Sequence, residues 1–243
     1  MRYLVKFSYD GSNYCGFQIQ PNKPTIQEQL EKALKKINNN IDTPIVATGR
    51  TDKGVHALTQ YGHVDLSIDI TEKNLKRALN SNLPDDIYVI ETNIVDKDFH
   101  ARYDVKSKEY KYYINIGEYN PIEKDYAFQY NYNLDIDSMK KAIKYFEGTH
   151  DFRAFVTENK DKENCVRTIT KTSIEQENNK IIITFEGTGF LRYQVRNMVG
   201  ILIKVGENKI SPEDVEKILE SKDRTKSGKT APAEGLYLTK INY

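Results

Sequence analysis

The sequence predicts an α+β protein whose antiparallel-rich mixed sheets are flanked by helices. Strand-like alternation and amphipathic helical patterns follow one another twice along the chain. Within each half some strands come directly after one another, which favours antiparallel pairing. A chain of 243 residues suits one large domain or two modest halves. We expect two halves, at 1–105 and 106–243, with a soft boundary.

The first half is predicted to have the order β-α-β-β-α-β, with strands at 2–9, 45–48, 60–66 and 87–95. Thr25 and Glu28 have the spacing of a capping box, which predicts the start of a helix. Thr71 is predicted to cap the second helix, which ends before Pro84. The inward positions of the two helices are Ile26, Leu30, Leu34 and Ile37, and then Leu75, Ala78 and Leu79. The tracts at 38–40 and 158–164 are expected to be exposed loops.

The second half is predicted to begin with a strand at 108–116 and a helix at 137–146. Gly148 is expected to stop that helix in the C′ position. Strands at 166–175 and 180–186 come next, followed by a long apolar helix from Phe190 to about Val205. Ser211 and Pro212 open another helix with Asp214 at the capping-box position. A strand at 236–242 closes the half.

The composition excludes a global basic field of the kind that attracts nucleic acid. The formal net charge is +1, and charges of both signs are interspersed. RNA binding therefore needs local patches, for which Lys and Arg near Asp52, at 102–111 and at 192–196 are candidates. Cys15 and Cys165 lie in no metal-binding spacing, so free thiols in a reducing cytosol are expected. No apolar run reaches the ~20 residues of a membrane span, so we expect a cytoplasmic protein.

The most informative pattern is G-R-T-D-K-G-V-H-A, at 49–57. One residue separates Asp52 from Arg50, and a nearby cation keeps a carboxylate ionised at neutral pH. Gly49 and Gly54 allow the positive φ angles of a tight turn after a strand. An ionised aspartate on such a loop can attack carbon without a metal or an organic cofactor. The alternative is an Asx-type turn, in which Asp52 only bonds neighbouring backbone amides.

Five motif-like segments are spread over the whole chain: Y-D-G-S-N-Y-C-G-F-Q at 9–18, the Asp52 segment at 49–57, F-H-A-R-Y at 99–103 with K-E-Y-K-Y at 108–112, G-F-L-R-Y-Q-V-R-N-M-V-G at 189–200, and A-P-A-E-G-L-Y-L at 231–238. In this order they resemble the tRNA pseudouridine synthase A family from end to end. The departures are Lys53 for a small residue, Phe17 for a common Trp, and Gln194 before Val195 where Met is frequent. None removes a group that the chemistry needs. The resemblance implies the pseudouridine synthase fold, with two ferredoxin-like β-α-β-β halves.

The resemblance also implies the reaction and the residues that perform it. Such enzymes break the bond between C1′ and N1 of a uridine, turn the uracil and rejoin it through C5, with no metal and no nucleotide or other external cofactor. Asp52 is then the catalytic carboxylate, and attack on C1′, attack on C6 and abstraction of the C2′ proton all stay open. Tyr110 matches the active-site tyrosine and Arg196 the basic partner of the aspartate. Leu236 matches a residue that packs against the base.

Structural alternatives exist for three of these residues. Tyr110, Tyr112 and Ile114 also fit one buried face of a strand. Leu236 also fits an ordinary core position. A buried Arg196 requires an anionic partner, which Asp52 would supply.

The remaining implications concern RNA and partners. Arg50 resembles the arginine that enters the RNA to help extrude the nucleotide, while Lys53, Arg102 and Lys108 are candidates for phosphate contacts. His56 and His100 are expected to be structural. The family acts as a homodimer on the anticodon arm of tRNA, at uridines 38, 39 and 40.

Three other functions have less support in the sequence: dinucleotide binding, a role as an RNA chaperone, and phosphoryl transfer. Gly187 and Gly189 after a strand, with Glu207 further on, mimic a dinucleotide fingerprint, but Arg192 replaces its third glycine. An RNA chaperone has no chemical need for Asp52, Tyr110 and Arg196 together. Phosphoryl transfer by an aspartate normally requires further carboxylates around Mg²⁺, and none is adjacent in the sequence.

Overall fold

The computed structural model describes residues 1–156 and 164–243. They form two compact units, Met1–Lys106 together with Tyr237–Tyr243, and Ser107–Leu236. The sequence placed the closing strand in the second half, whereas all of that strand after Leu236 belongs to the first unit. The predicted loop at 158–164 lies outside the described residues, except for Asn164.

The described residues contain ten strands and five α-helices. In chain order these are β1 (Arg2–Tyr9), α1 (Ile26–Ile37), β2 (Val46–Ala47), β3 (His56–Asp65), α2 (Glu72–Asn80), β4 (Ile87–Val95), β5 (Ser107–Asn115), β6 (Phe128–Gln129), α3 (Ile136–Ile143), β7 (Gly148–Asp151), β8 (Val166–Glu177), β9 (Lys180–Gly187), α4 (Gln194–Gly206), α5 (Pro212–Ser221) and β10 (Leu236–Asn242). None of these helices combines the length and the hydropathy that a membrane crossing requires. The α+β class predicted from the sequence is confirmed.

The first unit is built on a sheet with the strand order β4-β1-β3-β10, and β2 also pairs with β3. Strand β1 is antiparallel to both β3 and β4, while β10 runs parallel to β3 at Tyr237 and Leu238. Every second residue of β1 is buried, as the alternation in its sequence predicts. Helices α1 and α2 bury the apolar residues Ile26, Leu30, Leu34, Leu75 and Leu79. The predicted order β-α-β-β-α-β is correct.

Three local predictions for the first unit were wrong. Strand β3 begins at His56 rather than at residue 60, because β1 and β10 supply hydrogen-bonding partners that local sequence does not reveal. The capping box at Thr25 does not form: Thr25 is fully buried and makes no side-chain cap bond, and Glu28 pairs with Lys32 at 2.7 Å. Asn38 is buried, not exposed, and its side chain bonds Thr43 and Ser67.

The second unit contains an antiparallel sheet with the order β5-β9-β8-β7, and β6 pairs in parallel with β5. Strands β6 and β7 have two and four residues. Such short strands show no recognisable alternation in the sequence, and neither was predicted. Buried aromatic rings fill part of the core: Phe146, Phe152, Phe155 and Phe185.

Two of the helix ends predicted for the second unit agree with the structure, and one differs from it. Helix α3 and the 3-10 turn after it stop before Gly148, whose φ is +104°, and the Ser211 amide donates to Asp214 Oδ2 at 2.9 Å. Helix α4, however, begins at Gln194 and not at Phe190. Tyr193 has a left-handed backbone with φ of +61°, which interrupts helical geometry just before Gln194.

Candidate active site

The loop that carries Asp52 lies between β2 and β3, and hydrogen bonds hold it at two positions, Gly49 and Thr51. Gln60 Nε2 donates to the carbonyl oxygen of Gly49 at 3.0 Å. Two residues later, the Thr51 hydroxyl lies 2.8 Å from the Tyr9 hydroxyl, and the Thr51 carbonyl accepts from the Phe17 amide at 3.1 Å. The backbone is therefore fixed immediately before Asp52.

The first family-like segment, at 9–18, packs directly against this loop. A Cβ on Gly11 would lie 2.1 Å from the Val55 carbonyl oxygen, and one on Gly16 would lie 2.8 Å from the Thr51 carbonyl oxygen. Both distances are shorter than a Cβ atom can approach a carbonyl oxygen, so these two positions require glycine. The glycines of the segment thus serve the close approach of two backbones, a role that the sequence analysis did not identify.

The turn after Asp52 is closed by the backbone. Gly54 has φ of +78°, and the Val55 amide donates to the Asp52 carbonyl oxygen at 3.2 Å. The predicted positive φ angle is confirmed at Gly54 and is wrong for Gly49, whose φ is not positive.

The residues of the loop differ in their exposure to solvent. Thr51 is buried against its anchor. Arg50 and Lys53 are exposed, whereas Asp52 is half-buried. Arg50 Nη1 donates to Gln18 Oε1 at 2.6 Å, so the guanidinium also contacts the 9–18 segment. In this arrangement the exposed cation of Arg50 can bind a phosphate, while the carboxylate of Asp52 on the anchored loop is available as a nucleophile or a base.

The histidines of the first unit are held by hydrogen bonds, as expected for structural residues. His56 is buried, accepts from the Gly11 amide at 3.2 Å and stacks on Tyr237. His100 Nδ1 accepts from the amide of Arg102 at 3.1 Å. The Arg102 side chain itself is exposed.

A buried cluster supports the F-H-A-R-Y segment at Ala101. The Ala101 amide donates to His63 Nδ1 at 3.1 Å, and the Tyr243 hydroxyl donates to the Ala101 carbonyl oxygen at 2.9 Å. Burial lowers the pKa of His63, so its Nδ1 remains available as an acceptor. Tyr243 also contacts Thr48 Oγ1 at 2.6 Å, which joins this segment to the strand end before the Asp52 loop.

In the second unit, Tyr110 lies on β5 with only 9% of its surface exposed. Its ring meets Phe190 edge-on at 5.1 Å between centroids. Tyr112 and Ile114, on the same face of the strand, are fully buried, and the Tyr112 hydroxyl donates to the Pro232 carbonyl at 2.8 Å. Lys108 lies on the same strand and is half-buried.

Arg196 lies in the first turn of α4 and is attached to the loop before β10. Its Nε donates to the Ala231 carbonyl oxygen at 2.8 Å. The guanidinium carbon is 5.3 Å from the ring centroid of Tyr193, a cation–π contact that Arg192 also makes at 5.0 Å. The segment that leads into α4 therefore contacts both candidate catalytic residues of this unit: Phe190 contacts Tyr110, and Tyr193 contacts Arg196.

A buried network next to Arg196 was missed by the sequence analysis. Asn197 is fully buried and donates to the Phe155 carbonyl at 2.6 Å, while its Oδ1 accepts from Thr230 and Arg224. Gly200 allows the same loop to approach, since a Cβ there would lie 2.0 Å from the Lys229 carbonyl oxygen. The N and the final G of Q-V-R-N-M-V-G therefore position the loop that holds Ala231 and leads to Leu236, which is 5% exposed.

The apparent dinucleotide fingerprint has structural explanations in this unit. A Cβ on Gly187 would lie 2.5 Å from the Thr168 carbonyl of the neighbouring strand, so sheet packing requires this glycine. Glu207 follows α4, where it accepts from the Tyr130 hydroxyl at 2.5 Å and pairs with Lys209. In the part of the chain that the structure describes, no three His, Cys, Asp or Glu side chains are grouped to hold a metal ion.

The proposed site residues are therefore distributed over both units. Four lie in the first unit: Arg50, Asp52, Lys53 and Arg102. Four lie in the second: Lys108, Tyr110, Arg196 and Leu236.

Comparison with known proteins identifies the family. A family model described as tRNA pseudouridine synthase matches residues 6–104 and 142–243. The tRNA pseudouridine synthase A of Limosilactobacillus reuteri is 42% identical over 100% of this chain and 96% of its own length. The proteins of the same name from Pseudothermotoga lettingae and Streptococcus pneumoniae are 46% and 43% identical over 100% of this chain and 99% and 98% of their own lengths. This chain belongs to the tRNA pseudouridine synthase family.

Proposed function

We propose that this protein isomerises uridine to pseudouridine in the anticodon stem-loop of tRNA, at one or more of positions 38, 39 and 40, with Asp52 as the catalytic carboxylate. Family membership supplies the reaction class, an isomerase that acts on uridine in tRNA. The choice of positions rests on the resemblance to the synthase A group. The observation that carries the assignment of Asp52 is its place on a loop anchored at Gly49 and Thr51.

The reaction is redox-neutral, so it needs no redox cofactor. The N1–C1′ bond breaks and a C5–C1′ bond forms, while C5 loses a proton and N1 gains one. An aspartate can begin this exchange by attacking C1′, by attacking C6 or by removing the C2′ proton. Each route needs a nucleotide that has left the helical stack.

Three further residues are proposed to complete the active site around Asp52. Tyr110 stacks on the base and takes part in proton transfer at C5, a role supported by its ring being held edge-on by Phe190. Arg196 serves as the cation for the aspartate, supported by its fixed Nε contact with Ala231. Leu236 packs against the base.

Four further residues are proposed to bind the RNA. Arg50 enters the RNA and stabilises the extruded nucleotide, while Lys53, Arg102 and Lys108 bind phosphates. Arg50, Lys53 and Arg102 are exposed, as contacts to a large ligand require.

The proposal extends to the state of the protein in the cell. It is expected to work in the cytoplasm, where its tRNA substrate is found, as a homodimer in which one tRNA contacts both subunits. No metal and no nucleotide cofactor is expected to be required.

Pseudouridine mapping at single-nucleotide resolution tests the proposed function. Transfer RNA from cells with and without the gene should differ by the loss of pseudouridine at positions 38–40. Expression of the wild-type chain should restore the modification, and the Asp52→Asn variant should not. An unchanged anticodon arm, with changes elsewhere or none, contradicts the proposed substrate.

A further inference from the structure

One continuous set of hydrogen bonds, the Tyr9 network, lies beneath the Asp52 loop. The Tyr9 hydroxyl is 2.8 Å from Thr51 Oγ1 and is also hydrogen bonded to the side chain of Gln60. Gln60 donates from Nε2 to the Gly49 carbonyl at 3.0 Å, and its Oε1 accepts from the Tyr61 amide at 3.1 Å. The Tyr9 network thus joins β1 and β3 to both anchored positions of the loop.

The network is buried, which makes its geometry strict. Gln60 is fully buried, Tyr9 is 5% exposed and Thr51 is 9% exposed. Burial raises the pKa of the Tyr9 hydroxyl far above its usual range, so the hydroxyl remains a possible donor even in alkaline solution. In dry surroundings an unmet donor or acceptor is costly, so each group of the network fixes the next.

The anchors determine the direction of Asp52 through the backbone. Gly49 and Thr51 are fixed on one side of the loop, and the Val55 amide fixes the Asp52 carbonyl on the other. Fixing the backbone on both sides fixes the direction of the Cα–Cβ bond of Asp52, from which the carboxylate extends. Displacing a catalytic group by about 1 Å can slow a reaction about 100-fold.

We propose that Tyr9, Thr51 and Gln60 are positioning residues that hold the Asp52 carboxylate in its reactive orientation through the backbone of the loop. The inference rests on the proposed function, because it takes Asp52 as the catalytic carboxylate. None of the three contacts the reacting atoms, so their effect should appear in the chemical step and not in the binding of tRNA.

Four variants test the proposal: Tyr9→Phe, Thr51→Val, the double variant and Tyr3→Phe. The last is a matched control, because Tyr3 lies on the same strand, is fully buried and donates from its hydroxyl to the Ile70 carbonyl at 2.6 Å. Removing either tyrosine hydroxyl should lower the melting temperature by a similar amount. Single-turnover rates at saturating tRNA, tRNA affinity and hydrogen exchange of the amides at 49–53 are measured for each variant.

Tyr9→Phe and Thr51→Val should each slow the chemical step about tenfold or more with unchanged tRNA affinity. The double variant should be no slower than Tyr9→Phe, because Tyr9→Phe already removes the Tyr9–Thr51 hydrogen bond that Thr51→Val removes. Exchange at 49–53 should rise in Tyr9→Phe and stay at the wild-type level in Tyr3→Phe. A Tyr9→Phe rate within about twofold of the Tyr3→Phe rate overturns the proposal, and so do losses that multiply in the double variant.

Failure of the proposed function would be visible separately. Absence of pseudouridine with the wild-type protein refutes the function, and wild-type turnover by Asp52→Asn refutes the assignment of Asp52 as the catalytic carboxylate. Hydrogen exchange still reports in that case whether the Tyr9 network holds the loop, and equal exchange in Tyr9→Phe and wild type refutes the network.

Discussion

Arg196 and Ala231 are joined by two hydrogen bonds that run in opposite directions. Arg196 Nε donates to the Ala231 carbonyl at 2.8 Å, and the Ala231 amide donates to the Arg196 carbonyl at 3.0 Å. The pair connects the first turn of α4 with the loop that leads to Leu236. Two segments that are 35 residues apart in sequence therefore form one rigid part of the second unit.

Replacing Arg196 with Ala should slow the chemical step about 100-fold or more at saturating tRNA. The change removes the cation proposed for Asp52 and one of the two bonds that fix the loop at Ala231. Arg192→Ala is the matched control, because Arg192 makes a similar cation–π contact with Tyr193 but is exposed. Single-turnover rates of Arg196→Ala and Arg192→Ala are compared. Equal rates for the two variants would contradict a catalytic role of Arg196.

Gly11→Ala should destabilise the packing of the 9–18 segment on the Asp52 loop. The new methyl group would lie 2.1 Å from the Val55 carbonyl oxygen, and such overpacking typically costs about 1–3 kcal/mol. Gly189→Ala is the control, since the nearest atom to its Cβ is 4.0 Å away. Denaturant unfolding measures both variants. A Gly11→Ala protein as stable as the Gly189→Ala protein would contradict the proposed close packing.

Activity should persist in excess EDTA and without added nucleotides. The isomerisation transfers no net electrons, and a carboxylate needs no Lewis acid to attack carbon or take a proton. Polyamines should be present in the assay so that the tRNA stays folded without divalent ions. A requirement for Mg²⁺ that polyamines do not replace would contradict the mechanism.

Arg50→Ala should slow turnover more on a structured anticodon arm than on a short unstructured RNA. Extruding a nucleotide from a stack costs a few kcal/mol, and much of that cost is absent in the unstructured RNA. The Arg50 side chain is exposed and donates a hydrogen bond to Gln18. Removing this side chain leaves the anchors at Gly49 and Thr51 in place, so the loop should stay folded. Single-turnover rates on the two RNAs measure the effect. Equal losses would assign Arg50 to the chemistry or to the loop fold instead of to extrusion.

The sequence identified the Asp52 loop and the family, but not the contacts that hold the loop. Tyr9, Thr51 and Gln60 come from two strands and a turn, and only the pairing of β1 with β3 brings them together. Local patterns also failed where tertiary contacts override them. Thr25 is buried instead of capping α1, and the left-handed Tyr193 delays α4 by four residues from the predicted start at Phe190. The glycines at 11, 16 and 200 were visible in the motifs, yet their purpose depends on backbones that approach from distant parts of the chain.

The most direct test of the central claim is the single-turnover rate of Asp52→Asn on a tRNA with a uridine at positions 38–40. We predict a loss of several orders of magnitude with nearly unchanged tRNA affinity, because binding is spread over many phosphate contacts. Asp65→Asn is the matched control in the same unit, since Asp65 is 62% exposed and pairs with Arg2 at 2.7 Å; its rate should equal that of the wild type. Turnover by Asp52→Asn within about tenfold of the wild-type rate would contradict the assignment of Asp52 as the catalytic residue.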